Sequence, residues 1–364
     1  MSSAVATEVA EAPGRNGRWE MRRALVQALA KEAGEYDIVL GPDYGNTGGV
    51  EVFIEGPPAL DQAVIVKAKA LKAALVAAGG GPTRMLVFET DLERGELTLT
   101  GSKGSARIPV TREGIAEAVR RVSTPGEFVA ENSASLADLE AVLVAAEREG
   151  SFRLNDVMAG SGGWFATDRY RFHMIVQPGL AAMSVPRVVV AIARAAGLDE
   201  VTVAAKKQGA CLLQDGLGSV VTWVGGDGPI PQIDMIVTQC RERCTTTAHV
   251  TERGIAYLDQ VRKLPLENKP KDSPVRGGGV TFDDDGVARS FGATVETSPV
   301  TGAWECTRDV GAVAYNAGFL ADAIAFTGSP VLQINGNDAG RMCALVESGN
   351  RLAGVMPVYR GDKR

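Results

Sequence analysis

Three stretches of this chain share one pattern. VIVKAKALKAALVAAGGGPTRMLVFE (64–89), MSVPRVVVAIARAAGLDEVTVAA (183–205) and VAYNAGFLADAIAFTGSPVLQIN (313–335) each begin with a short apolar run, enter an alanine-rich segment, stop at glycine and resume as an apolar run. Such a segment reads as strand, helix, glycine stop, strand, because glycine takes the left-handed conformation past the last helical turn at little steric cost. The copies start at 64, 183 and 313, so they recur at intervals of about 120–130 residues, the length of a whole domain rather than of a solenoid repeat.

A second helix is predicted ahead of each copy, at WEMRRALVQALAKEAG (19–34), SLADLEAVLVAAEREG (135–150) and TERGIAYLDQVRKL (251–264). Alternating stretches suited to strands fill the intervals: 96–110, 209–224, 279–291 and 341–358. The pattern predicts an α+β chain of three tandem domains, 16–124, 125–241 and 242–364, behind a flexible tail at 1–15. Ser-Thr-Pro-Gly at 123–126 and the polar run CRERCTTT at 240–247 mark the junctions.

Composition narrows the function. The 364 residues include 38 basic and 44 acidic ones, so a net charge of −6 excludes a uniformly basic coat but allows one basic face. Five scattered cysteines make no disulfide framework, which predicts a reducing, cytoplasmic setting. The N-terminus has no apolar signal core, and no apolar run reaches the ~18 residues of a membrane span. The glycine-rich stretches 41–49 and 158–163 lack the Lys-Ser/Thr of a phosphate loop and read as turns. Cys240, Cys244 and His249 are spaced unlike the usual zinc patterns, so the two cysteines read as linker residues and no metal is expected. The two histidines, His173 and His249, fall in different predicted domains, which speaks against a His-based nucleophile site. No catalytic constellation and no cofactor is expected.

The segment GWFATDRYRFHMIV (163–176) reads as a hairpin whose turn gathers an acid, two arginines and an aromatic. On its own, that composition suits a catalytic loop, a nucleic-acid contact or a docking rim. Ala166-Thr167-Asp168-Arg169-Tyr170-Arg171-Phe172 resembles the Ala-Thr-Asp-Gly-His-Arg-Leu hairpin of the bacterial DNA polymerase III β sliding clamps, and Val355-Met356-Pro357-Val358 resembles that family's closing Val-Met-Pro-Met. Leu154-Asn155, Ile230-Pro231 and the helix Tyr315-Asn316-Ala317-Gly318-Phe319-Leu320-Ala321-Asp322-Ala323 match further family positions in the same order. The resemblance spans the chain from about residue 18 and is faintest before residue 64.

The resemblance implies a non-catalytic processivity factor: a ring-shaped, head-to-tail homodimer around duplex DNA, with helices lining the hole and sheets outside. It implies a subunit contact between Ser105–Val110 and the third domain near Leu258–Leu266. Sequence-independent grip on duplex calls for cations opposite phosphates, and Arg22, Arg23, Lys67, Lys69, Lys72, Arg187, Arg194, Arg253, Arg262 and Lys263 lie on the helical segments expected to face it. Asp322 and the acids of 135–150 are out of place in such a lining. The polymerase and the clamp loader are implied to dock by short extended peptides in a pocket walled by Leu154, Thr167, Arg169, Tyr170, Arg171, Phe172, Pro231, Met235, Ile236, Val355, Met356, Pro357 and Val358. Arg171 is expected to hydrogen-bond the docked peptide. Arg169 and Tyr170 replace the family's Gly and His, and Tyr359–Arg364 extends past its usual end. Those departures leave room for a specialised clamp paralogue serving one partner in a phage, resistance or repair setting; an enzyme unrelated to clamps is the remaining alternative.

Overall fold

The alanine-rich segments fold as their spacing requires. In the computed structural model, residues 16–34, 36–42, 44–47, 50–54, 60–115, 128–147, 153–206, 210–215, 219–224, 230–266, 277–335 and 342–358 are described. The predicted tail at 1–15 and the extension at 359–364 lie outside them. Seven α-helices are seen among the described residues: α1 (Arg23–Glu32), α2 (Ala68–Ala78), α3 (Leu136–Val142), α4 (Arg187–Ala196), α5 (Ile233–Arg243), α6 (Glu252–Val261) and α7 (Ala317–Thr327). Helices α2, α4 and α7 are those of the three repeats. Gly197 and Gly328 end α4 and α7 at φ 90° and 70°, the left-handed stop that the pattern predicts.

The chain forms two compact units, each assembled from separated stretches: Met1–Ala137 with Val185–Asp227, and Asp138–Ser184 with Gly228–Arg364. The first unit is built on one antiparallel sheet of twelve strands. From edge to edge it runs Arg18–Arg22, Met85–Asp91, Glu96–Thr100, Ser105–Thr111, Val64–Lys67, Asp37–Gly41, Tyr44–Thr47, Val50–Phe53, Val220–Val224, Ala210–Asp215, Glu200–Lys206 and Phe128–Ser135. The seam between its two stretches is the pairing of Val50–Phe53 with Val220–Trp223. Glu51 is fully buried there, where it accepts from the Tyr44 hydroxyl and from Thr222 Oγ1 at 3.5 Å. Burial, with Glu51 adding to it, pushes the Tyr44 phenol well above its usual range.

The stretch expected to be helical from residue 19 opens instead with the strand Arg18–Arg22, whose Trp19 and Met21 point inward. Period-two alternation decides this, and Trp19 stacks at 5.7 Å on Phe88 of the neighbouring strand. Helix α1 then buries Leu25, Val26 and Leu29 completely, a stripe at helical spacing that contributes about 1.5–3 kcal/mol per side chain.

The second unit holds a nine-stranded sheet in the order Met183–Val185, Val157–Gly160, Gly163–Thr167, Arg171–Val176, Arg351–Val355, Ala344–Ser348, Val331–Ile334, Thr246–Val250 and Trp304–Cys306. A three-stranded sheet, Ala288–Phe291, Gly279–Phe282 and Val313–Asn316, completes it. Successive residues of a strand point to opposite faces. Phe172 and Met174 therefore join Ile233, Val237 and Cys240 of α5 in one core cluster, whereas Arg171 and His173 face Phe319 and Phe326 of α7. Helix α5 was not expected: residues 240–243, read as a polar junction, are its last turn, and Cys240 and Cys244 are buried core residues rather than linker cysteines.

Candidate functional site

The hairpin turn is held by its own side chains. Asp168 Oδ1 accepts from the backbone N–H of Tyr170 and of Arg171, each at 3.1 Å. Thr167 Oγ1 accepts from Arg169 N at 3.1 Å and donates to Arg171 O at 2.7 Å. Among the described residues, Arg169 is the one non-glycine residue with positive φ, at 76°. The turn thus needs a left-handed residue where the resembled family carries Gly, and a Cβ there costs on the order of 1–2 kcal/mol.

Arg171 does not reach outward. Its side chain is about one-tenth exposed; Nε meets Asp168 Oδ2 at 3.1 Å, Nη1 meets Asp322 Oδ2 at 2.5 Å and Nη2 donates to Val144 O at 2.8 Å. The guanidinium lies 4.3 Å from the Phe319 ring centroid. Arg262 extends the network to Asp322 at 3.6 Å and to Asp259 at 2.9 Å. Burial pushes the Asp168 carboxyl up, and Arg171 with the turn's N–H groups pulls it part of the way back. Burial, followed by the nearby Arg171 charge, holds the His173 imidazole down to about 3, so the ring is neutral where it stacks at 4.4 Å on Phe326.

The C-terminal strand completes the turn's surroundings. Arg171 pairs with Val355 and Phe172 with Gly354, and Met356 N donates to Tyr170 O at 2.8 Å. Gly354 is required by its neighbour, because a Cβ there would collide with the Phe172 ring. Beyond Val355, Val358 N donates to Ala314 O at 2.7 Å. Tyr170, Met356 and Val358 remain 47, 38 and 37% exposed, an apolar rim around the turn.

The thirteen expected pocket residues separate into groups. Arg169, Tyr170, Met356 and Val358 are exposed around the turn, with Pro357 half-buried between them. Thr167, Phe172 and Val355 are buried beneath it, and Arg171 is committed to carboxylates, so these four hold the rim in place instead of lining it. Leu154 is half-buried in a short 3-10 turn, Arg153–Asn155. Pro231 is half-buried ahead of α5, and Met235 and Ile236 are exposed on its first turn. Ser161 Oγ bonds Asp234 Oδ2 at 2.5 Å, pinning that turn to the end of strand Gly163–Thr167 opposite Asp168, about 13 Å away along four residues of strand. A cleft of about 250 Å³ opens there, floored by Met174, Val176, Val237 and Leu352 and edged by Asp234, Thr238 and Arg241.

The expected DNA-facing cations fare differently. Arg22, Lys67, Lys69, Lys72, Arg194, Arg253, Arg262 and Lys263 are exposed and Arg187 is half-buried. Lys67 pairs with Asp37 at 2.8 Å. Arg23 is the correction: it is 6% exposed and its guanidinium donates to Leu75 O and Gly79 O, both at 2.7 Å. It caps the C-terminus of α2, where unpaired carbonyls and the helix dipole favour a cation. Leu258, expected at a subunit contact, is likewise fully buried in the core. Asp322, an acid out of place on a lining helix, is the partner of Arg171 and Arg262. Its role was missed, although the Phe-Leu-Ala-Asp-Ala spacing and the Asp168–Arg171 motif carried the signal.

No protein-family model and no curated protein sequence matches the chain. Solved structures do. A DNA polymerase sliding clamp from Pseudomonas aeruginosa aligns over 94% of this chain and 99% of its own with a TM-score of 0.64 at 15% identity. The DNA polymerase III β subunit from Thermotoga maritima aligns over 95% and 100%, with a TM-score of 0.66 at 13% identity. The β sliding clamp of C. crescentus aligns over 96% and 100%, with a TM-score of 0.62 at 17% identity. Coverage this complete in both directions gives the chain the fold of the bacterial DNA polymerase III β sliding clamps.

Proposed function

We propose that the chain is a DNA sliding clamp, two copies of which close head to tail around duplex DNA and tether a polymerase to it. The observation that carries this reading is the near-complete match to the clamp fold along the whole chain. The chain divides on this reading into three clamp domains, 16–124, 125–241 and 242–364, in the cytoplasm. Sheet continuity at 50–53 with 220–224 and at 171–176 with 351–355 then joins neighbouring domains. Strand Ser105–Thr111 pairs with Glu96–Thr100 over residues 105–109 but meets Val64–Lys67 only at residues 110 and 111. Its remaining flank offers backbone groups to a second copy.

The exposed Lys67, Lys69 and Lys72, with Arg22 and Arg194, suit phosphate contact without base reading. The rim of Tyr170, Met356 and Val358 suits the apolar anchor of a partner's linear peptide, from the polymerase or the clamp loader. The C. crescentus clamp holds polyethylene glycol at a region described as its putative β-motif tethering region. Arg169 and Tyr170 favour the specialised paralogue as second reading, because each places a bulkier or differently shaped side chain on the rim.

Retention on DNA tests the function. The loaded protein should stay on closed circles and run off linear duplex. Lys67, Lys69 and Lys72 changed together to Glu should lower retention and flatten its salt dependence, by about one in log–log slope for each lysine that no longer meets a phosphate. Equal retention on circles and linear DNA would sink the clamp reading. Met356→Ala should weaken a bound polymerase peptide by about tenfold while leaving the dimer intact.

A further inference from the structure

Three of the five cysteines converge where sequence spacing shows no framework. Cys240 and Cys244 are four residues apart, so they share one face of α5 and its C-terminal cap. Cys343 immediately precedes strand Ala344–Ser348 on the sheet beneath. Cys244 Sγ donates to Cys343 O and Cys343 Sγ to Ala344 O, both at 3.4 Å, and Cys240 lies with them in one buried cluster. The neighbouring Cys244 sulfur, then that of Cys343, holds the Cys240 thiol below its ordinary pKa, while Cys240, followed by burial, pushes Cys244 and Cys343 up. Small apolar side chains would fill this core equally well; three thiols in one cluster add a reactive sulfur with partners near it.

The cover over the trio is a single helix. Thr238, Gln239, Arg241, Glu242 and Arg243 around Cys240 are all exposed. The 250 Å³ cleft runs along the same helix past Val237, Thr238 and Arg241. An oxidant as small as hydrogen peroxide needs only a local opening to reach Cys240.

We propose that Cys240 and Cys343 form a peroxide-sensitive dithiol whose disulfide ties α5 to strand Ala344–Ser348. The Cys240 thiolate attacks hydrogen peroxide, the O–O bond breaks, and one oxygen stays as the sulfenic acid while the other leaves as water after taking a proton. The Cys343 sulfur then displaces the sulfenic oxygen, which departs as a second water with the Cys343 proton. Two thiols and one peroxide give one disulfide and two waters, with the sulfurs oxidised and the peroxide reduced. The bond closes a loop from 240 to 343 and fixes the helix that carries Met235 and Ile236. This inference does not depend on the clamp reading.

The test uses the intact, full-length protein. After mild peroxide treatment under native conditions, remaining thiols are alkylated and the digest is read by mass spectrometry. The expected result is loss of two alkylatable thiols per chain, a peptide pair joined through Cys240 and Cys343, alkylated Cys306, and full recovery with dithiothreitol. Cys343→Ser should leave a sulfenic acid on Cys240 that dimedone traps. If that variant fails to fold, the mapping on the unaltered protein decides alone. Oxidation of half-buried Cys306 ahead of the trio, a Cys240–Cys244 link, or a disulfide that forms only after denaturation would each overturn the proposal.

Discussion

Arg23 in the first unit and Arg171 in the second were both expected to meet a ligand, and both are turned into the protein. Their partners differ. Among the described residues, Arg23 meets the neutral carbonyls of Leu75 and Gly79 at the end of α2. Arg171 meets two carboxylates, a carbonyl and an aromatic face, and it ties the hairpin turn to α7. The first arrangement ends a helix and could stand in any helical protein. The second places an exposed apolar rim, because the backbone of Tyr170 and Met356 follows wherever the Asp168–Arg171–Asp322 chain holds the turn. A buried arginine is therefore informative about function only through what surrounds it.

Removing each arginine sharpens this contrast. Arg171→Ala leaves Asp168, almost fully buried, without its counter-charge and should cost about 3–5 kcal/mol in a urea melt. It should also loosen peptide binding at Tyr170 and Met356, and a variant that melts normally would break the argument. Arg23→Ala strands two helix-end carbonyls and should cost less, about 2–3 kcal/mol, with peptide affinity unchanged.

Acid gives the smaller effect and separates the units. Both histidines lie in the second unit, and His173 is held neutral down to about pH 3. Its folded pKa is below the unfolded value of about 6.5, so the unfolded chain takes the proton first. Stability is full above that pH and falls by about 1.4 kcal/mol per pH unit on the way down. His173→Phe should flatten the loss between about pH 6.5 and 5.5. An unchanged slope would assign it elsewhere.

Much of this architecture could be read from the chain because local chemistry specifies it. The glycine after each alanine-rich helix, and hairpins such as 96–111 and 163–176, need only neighbours in sequence. The misses have physical causes too. Residues 19–22 read as helix because Trp19-Glu20-Met21-Arg22 runs into a helical stripe, although Trp19 and Met21 already alternate with charges. Helix α5 was hidden by the polarity of its outer face, while Ile233, Val237 and Cys240 carried the inward spacing. Arg22 and Arg23 are adjacent and alike, and only the handover from strand to helix sends one outward and one inward. At the candidate site the motif pointed to the turn that Asp168 and Thr167 hold. It could not show that Arg171 and Phe172 support the rim from below, or that α5's first turn is anchored at the other end of the hairpin.

The seam at Val50–Phe53 has a bearing on how the protein is made. That strand's partner, Val220–Trp223, leaves the ribosome some 170 residues later, a wait of about 10–30 s at ~5–20 residues per second. Until then its flank stays open and Glu51 waits for Thr222, so a stalled or truncated message would release a fragment ready to stick to its own kind.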